Sequence, residues 1–250
     1  MESANIVGYN NVTLNPGFNM FAVNFKQMGE KQSIKLDDLF PGGGKEDTIF
    51  TYAGTSADAD YVKIWSNATG EYDTYYLFKK SKGSSDDNFF WLNESDDSRA
   101  SNVTFKNGDA FWFYKRGDVA ISTPVSGEVE LSEVKSVEIK PGFNMIASFF
   151  PSGWTINDNK YYTPSYWENS GAVYAGTSAD SDYLKVWDNK SNEYTTYYLF
   201  KKAKGSDENN FRWLNESDDS LPTGNVLTPG KGAWYFHRGS GFNLEIKKQF

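Results

Sequence analysis

Apolar and polar positions alternate in short runs along most of this chain, and Gly, Pro, Asn and Asp punctuate them. That is the pattern of short strands joined by turns. Residues 5–25, NIVGYNNVTLNPGFNMFAVNF, read as two strands about a corner at Pro16 and Gly17, and residues 136–150 repeat the same grammar. Residues 60–65 (DYVKIW) and 72–80 (YDTYYLFKK) flank the turn-like SNATGE. At its tip Gly70 is exchanged for Asn192 in the second copy. Gly and Asn are the residues that best tolerate a left-handed backbone, so the exchange predicts a hairpin. Further strands are expected at NFFWLN, at DAFWFYKRG (109–117) and KGAWYFHRG (231–239), and at the closing segments 119–131 and 242–246. Only SIKLDDLFPGGG, 33–44, reads as a helix. Ile34, Leu36 and Leu39 fall near one face, and Pro41-Gly42 stops it.

These elements occur twice. WLNESDDS at 91–98 returns letter for letter at 213–220, within a block in which 53–117 matches 175–239 at 37 of 65 positions, 122 residues apart without a gap. PGFNM at 16–20 returns at 141–145, an offset of 125, so three residues are missing between that motif and the block in the second copy. The least similar region is 154–171, which stands where the helix of the first copy lies and belongs at a rim. The period is far too long for a solenoid. We therefore expect an all-β chain of two tandem homologous domains, 1–131 and 136–250. Each is a β-sandwich or open barrel of eight or nine strands, with one short helix near 33–40.

Composition narrows the function. Aromatic residues make up 17% of the chain and glycines number 22, which suits strands and turns. The net charge of −8, without a long basic tract, argues against nucleic acid as a partner. No cysteine is present, which removes disulfides, thiolate metal sites and cysteine nucleophiles. No apolar run reaches the length of a transmembrane helix. Met1-Glu2-Ser3 leads straight into strand-like sequence, and the favoured expectation is an exported chain whose signal peptide has been removed.

The PGFN opening strand, the aromatic hairpin, the G-x-W/F strand and the GEV closing strand together resemble a group of secreted, uncharacterised bacterial β-repeat proteins. The resemblance implies export and a role at or beyond the cell surface, and it brings no catalytic residues.

No reaction is spelled out. His237 is the sole histidine, and Lys115 stands at its counterpart. On a Trp-Tyr-Phe strand it reads as a solvent-side residue, and no nucleophile elbow or histidine pair completes a triad. Glu94 with Asp96 or Asp97 is the candidate carboxylate set for glycosidase chemistry, on a loop where adjacent acids are ordinarily solvated. The expected class is a non-catalytic extracellular or cell-surface module with a structural, self-assembling or adhesive role, with a carbohydrate-binding module as the alternative. No cofactor is required. Calcium is a candidate at Asp58, Asp60, Asn93, Glu94, Asp96 and Asp97, repeated as Asp180, Asp182, Asn215, Glu216, Asp218 and Asp219, because hard cations take loop oxygens. Capped turns, with the same side chains bonding nearby N–H groups, are the competing reading. The partners expected are a second copy of the chain, through terminal strand edges, or a surface glycan.

The hairpin supplies the ligand candidates. Pairing Trp65 with Tyr72, Lys63 with Thr74 and Tyr61 with Tyr76 puts these residues and Phe78 on one face, and Val62, Ile64, Tyr75 and Leu77 on the other. The first set recurs unchanged as Tyr183, Lys185, Trp187, Tyr194, Thr196, Tyr198 and Phe200, whereas the aliphatic set drifts to Leu184 and Val186. An aromatic face with Lys and Thr suits sugar stacking, docking to another protein, or burial inside a sandwich.

Overall fold

The computed structural model describes residues 6–29, 33–40, 49–80, 89–201 and 211–250. The first half contains β1 (Val7–Leu14), β2 (Gly17–Ala22), β3 (Ile34–Lys35), α1 (Leu36–Leu39), β4 (Tyr61–Ser66), β5 (Glu71–Lys79), β6 (Phe89–Asn93), β7 (Thr104–Phe105), β8 (Ala110–Lys115) and β9 (Ile121–Glu128). The second contains β10 (Val134–Ile139), β11 (Gly142–Ala147), α2 (Pro164–Ser170), β12 (Tyr183–Asp188), β13 (Glu193–Lys201), β14 (Phe211–Asn215), β15 (Gly232–His237) and β16 (Phe242–Lys247). Each half builds one five-stranded antiparallel sheet, in the order β2-β8-β4-β5-β6 and its equivalent β11-β15-β12-β13-β14. The all-β class expected from the alternation is what forms, as open packed sheets. No described helix is long and apolar enough to cross a membrane.

The hairpin register is the predicted one: Tyr61 faces Tyr76, Lys63 faces Thr74 and Trp65 faces Tyr72. Ser66 also pairs with Glu71, which shortens the turn to four residues, and Gly70 and Asn192 both take positive φ, +70° and +56°. The Pro-Gly corners likewise put Gly17 and Gly142 at φ near +88° and +86°. The buried Asn of each PGFNM motif ties its corner. Asn19 Oδ1 accepts the Asn15 N–H at 2.8 Å while its Nδ2 donates to Asn15 O at 2.7 Å, and Asn144 does the same with Lys140 at 2.9 and 2.7 Å. The motif is thus a turn lock. It satisfies backbone groups that would otherwise be buried unpaired.

Three expectations need correction. β1 pairs with β9, and β10 with β16, as two-stranded ribbons. The terminal strands proposed as free edges are therefore each paired on one side within the chain. The divergent segment of the second half contains a second helix, which the alternation did not predict. Thr163 caps α2 by accepting the Tyr166 N–H at 3.2 Å, Pro164 opens it and Gly171 ends it at φ +99°. Its buried Trp167 packs edge-on against Trp213, 5.3 Å away. In the first half Phe40, just after α1, covers the equivalent Trp91 at 6.4 Å. Different sequences close the same side of the core, which explains the divergence. The second half also has seven described strands, fewer than expected, because β3 and β7 shrink there to a single bridge between Trp154 and Leu227.

The drifting aliphatic face is the core. Val62, Leu77, Trp91, Phe111 and Phe113 pack with Leu14, Leu36, Phe40 and Val125, and the second half assembles an equivalent cluster. Between the halves, Glu130 holds the connection. Burial opposes its charge, yet the Ser132 N–H and hydroxyl and the Lys135 ammonium, 3.2 Å away, overcome that and lower its carboxyl to about 2. A carboxyl depressed on folding stabilises the native state above its unfolded value, and that contribution disappears as pH falls from about 4.5 towards 2. Glu130→Gln is expected to cost about 2 kcal/mol at pH 7. It should also flatten the acid limb of a melting-temperature profile across that window. A variant with the native profile would contradict this.

Candidate binding surface

The opposite sheet face, the aromatic one, divides into an inner and an outer part. The inner part joins the two halves about a pseudo-twofold axis. Trp65 Nε1 donates to Phe143 O at 3.2 Å, and Trp187 Nε1 donates reciprocally to Phe18 O at 2.9 Å. Trp65 meets Trp234 edge to face at 5.3 Å and Trp187 meets Trp112 at 5.5 Å, with Met20 and Met145 filling between. Beside the axis an aromatic slot of about 300 Å³ is lined by Trp65, Tyr72, Phe143, Lys185, Tyr194 and Trp234. Trp65 and Trp187, predicted as ligand platforms, are thus chiefly the clasp between halves, and Tyr72 and Tyr194 line the space beside it.

The outer part is a pocket of about 250 Å³ lined by Ser56, Ala57, Tyr61, Lys63, Thr74, Glu94 and Arg116. Every one of these seven residue types recurs in the second half, as Ser178, Ala179, Tyr183, Lys185, Thr196, Glu216 and Arg238. The contacts recur as well. Tyr61 stacks on Tyr114 with centroids 4.8 Å apart and planes 3° from parallel, and Tyr183 stacks on Phe236 at 4.8 Å and 10°. Arg116 Nε donates to Ala59 O at 3.2 Å, and Arg238 Nε to Ser181 O at 2.8 Å. Lys63 Nζ lies 5.8 Å from the Tyr61 ring and 5.7 Å from Tyr72, and Lys185 lies 5.6 and 5.8 Å from Tyr183 and Tyr194. Burial pushes the Tyr61 and Tyr183 phenols up, so both remain neutral donors at physiological pH. Sequence reasoning placed Tyr61 and Lys63 here but missed Ser56 and Arg116 and read Glu94 as a metal ligand. The signal was available in the unchanged AGTSAD and RG segments.

The remaining candidates are engaged by groups of the chain itself. Tyr76 and Tyr198 are buried, and the Tyr198 hydroxyl donates to Asp219 Oδ1 at 2.7 Å. In the acidic loops Asn93 Oδ1 accepts the Ser95 N–H at 2.8 Å and Asp96 Oδ1 the Ser98 N–H at 3.0 Å. Asn215 and Asp218 repeat this with Ser217 and Ser220 at 3.0 Å each. The Ser98 and Ser220 hydroxyls, together with these N–H groups, hold the Asp96 and Asp218 carboxyls low. Asp97 and Asp219 sit at the left-handed corners, φ +57° and +54°. Asp58 and Asp180 accept from the hydroxyls of Thr55 and Thr177, at 3.1 and 3.0 Å. Glu94 accepts from Ser56 Oγ. Among the described residues no three carboxylate or imidazole groups gather as a metal site.

Asp60 and Asp182 require a plain correction as loop ligands: both are fully buried, with their oxygens taken by protein donors. Asp60 accepts the Thr51 N–H at 3.0 Å and the Arg116 N–H, with Lys115 Nζ 3.5 Å away. Burial still pushes its carboxyl up against those three partners. Asp182 accepts from Val173 N at 3.0 Å, Arg238 N at 2.9 Å and the Tyr235 hydroxyl at 2.9 Å, and contacts His237 Nδ1 at 2.8 Å. His237 is correspondingly buried, contrary to its solvent-side assignment. Because Gly241 N–H donates to its Nε2 at 3.1 Å, the ring proton resides on Nδ1 and is donated to Asp182. Lys115 and His237 are alternative donors to one conserved-in-both-copies acid, which fixes the Arg-Gly segment and so the pocket arginine.

A further cleft, about 430 Å³, runs between the corner of β1 and β2 and residues 188–190 and 228–231. Its lining is not duplicated: Thr13, Lys190 and Pro229 stand where the other copy has Glu138, Ala68 and Asn107. Comparison of the chain with family models, curated proteins and solved structures finds no match.

Proposed function

We propose that this chain is a non-catalytic, bivalent carbohydrate-binding module with an adhesive role at or beyond the cell surface. The observation that carries the reading is the outer pocket, unchanged in all seven residues, while the core behind it drifts from Val62 to Leu184, Ile64 to Val186 and Phe113 to Tyr235. A core accepts volume-conserving exchanges. An open surface with nothing to bind would accept more. The pocket offers a rigid tyrosine wall for the apolar face of a sugar ring, and Lys, Thr, Glu and Arg for its hydroxyls. Two such pockets on one frame raise avidity for a multivalent glycan surface.

The test is capture on a panel of immobilised glycans by the native protein and by a Tyr61→Ala, Tyr183→Ala double variant. We expect capture by the native protein and roughly five- to tenfold weaker capture by the variant, since one stacking platform per site accounts for about 1–1.5 kcal/mol. Failure of the native protein to bind any glycan would defeat the proposal.

A further inference from the structure

We infer that each outer pocket takes an acidic sugar, with its carboxylate seated between Lys63 and Arg116 or between Lys185 and Arg238. This rests on the saccharide reading above and names the class of sugar. The first support is charge. The pocket lining holds two cations and one anion, a local excess of positive charge in a chain whose net charge is −8. None of the four cations has a carboxylate within ion-pair distance among the described residues.

The second support is how those cations are held. Arg116 spends Nε on Ala59 O and one Nη2 proton on Ser56 O at 3.4 Å, and lies 4.5 Å from the Tyr114 centroid. Backbone carbonyls and a ring thus fix the guanidinium without neutralising it, and three of its five N–H donors remain. Lys63 is cradled between two tyrosine faces in the same way, which attracts the charge without cancelling it. Such fixed, unpaired donors are suited to a carboxylate, whose charge-assisted bonds are about twice as strong as those to a neutral hydroxyl. Glu94, turned onto Ser56, and the Thr74 hydroxyl supply acceptors for the hydroxyls of the same ring. Lys185 also lines the aromatic slot beside the axis, so an acidic oligomer seated in the second pocket has an apolar continuation for its next ring.

The experiment is titration calorimetry of the native protein with oligogalacturonate, with the same oligomer after carboxyl reduction to neutral galactose units, and with a dextran sulfate oligomer of matched length. A Lys63→Gln, Lys185→Gln variant and the corresponding Lys→Arg variant accompany it, with melting curves to confirm folding. The expected result is oligogalacturonate binding that weakens with added salt and exceeds both comparison ligands by roughly tenfold or more. The glutamine variant should lose that preference and the arginine variant should keep it. Equal binding of the reduced oligomer would overturn the acidic-sugar inference and leave the saccharide reading standing. Equal binding of dextran sulfate would make the pockets general anion sites and overturn it too. No binding of these ligands, together with an empty glycan panel, would remove the saccharide reading and the inference with it.

Discussion

Alanine at both Trp65 and Trp187 is expected to part the two halves without unfolding either. Each indole makes a hydrogen bond to a carbonyl of the other half, at 3.2 and 2.9 Å, and an edge-to-face contact with that half's tryptophan. Removing a large aromatic from such a contact costs about 3 kcal/mol or more, to which the lost hydrogen bond adds about 1 kcal/mol. Both indoles lie on the face away from the cores, which are built from the opposite side of each sheet. Calorimetry should therefore show one cooperative transition in the native protein resolved into two in the variant, with a larger radius of gyration in solution scattering. A single transition at the native midpoint would mean that these contacts do not couple the halves.

Asp182→Ala should be the most damaging single change in the second half. It leaves the Tyr235 hydroxyl and His237 Nδ1 buried without their acceptor and releases the N–H groups of Val173 and Arg238. Stripping a buried acid from its partners costs about 3–5 kcal/mol, which for a chain of this size corresponds to a fall in Tm of roughly 10 °C. Because Arg238 N is one of those groups, glycan binding at the second pocket should weaken while the first pocket is unaffected. A Tm within about 1 °C of native would show that the network carries no stability.

Much of this was legible in the residues, for physical reasons. The period of two along 60–80 gives hairpin register and face together, and the Gly70/Asn192 exchange gives the turn. In the hairpin, the exchanges at Val62 and Ile64 beside an unchanged aromatic face identify the core face, since buried aliphatics exchange freely at constant volume. What the residues could not show depends on contacts distant in sequence. Trp65 reaches a carbonyl 78 residues away, and Trp187 one 169 away. No local pattern separates a tryptophan that clasps the other half of the chain from one that awaits a ligand. Asp60 and Asp182 read as loop acids because alternation says nothing of a buried acceptor, and the Lys115/His237 exchange resembled surface tolerance although both side chains serve that same acid. The second helix was hidden because Thr163-Pro164 is a cap and first turn with little apolar period behind it.

Under the proposed function, duplication has produced two equivalent ligand sites in one chain. The most direct test counts them, by titrating the tightest glycan from the panel into the native protein and into the single Tyr61→Ala and Tyr183→Ala variants. Two equivalent sites per native chain and one per single variant, with the surviving site at native affinity, is the predicted result. One site per native chain, or two in either single variant, would contradict the account.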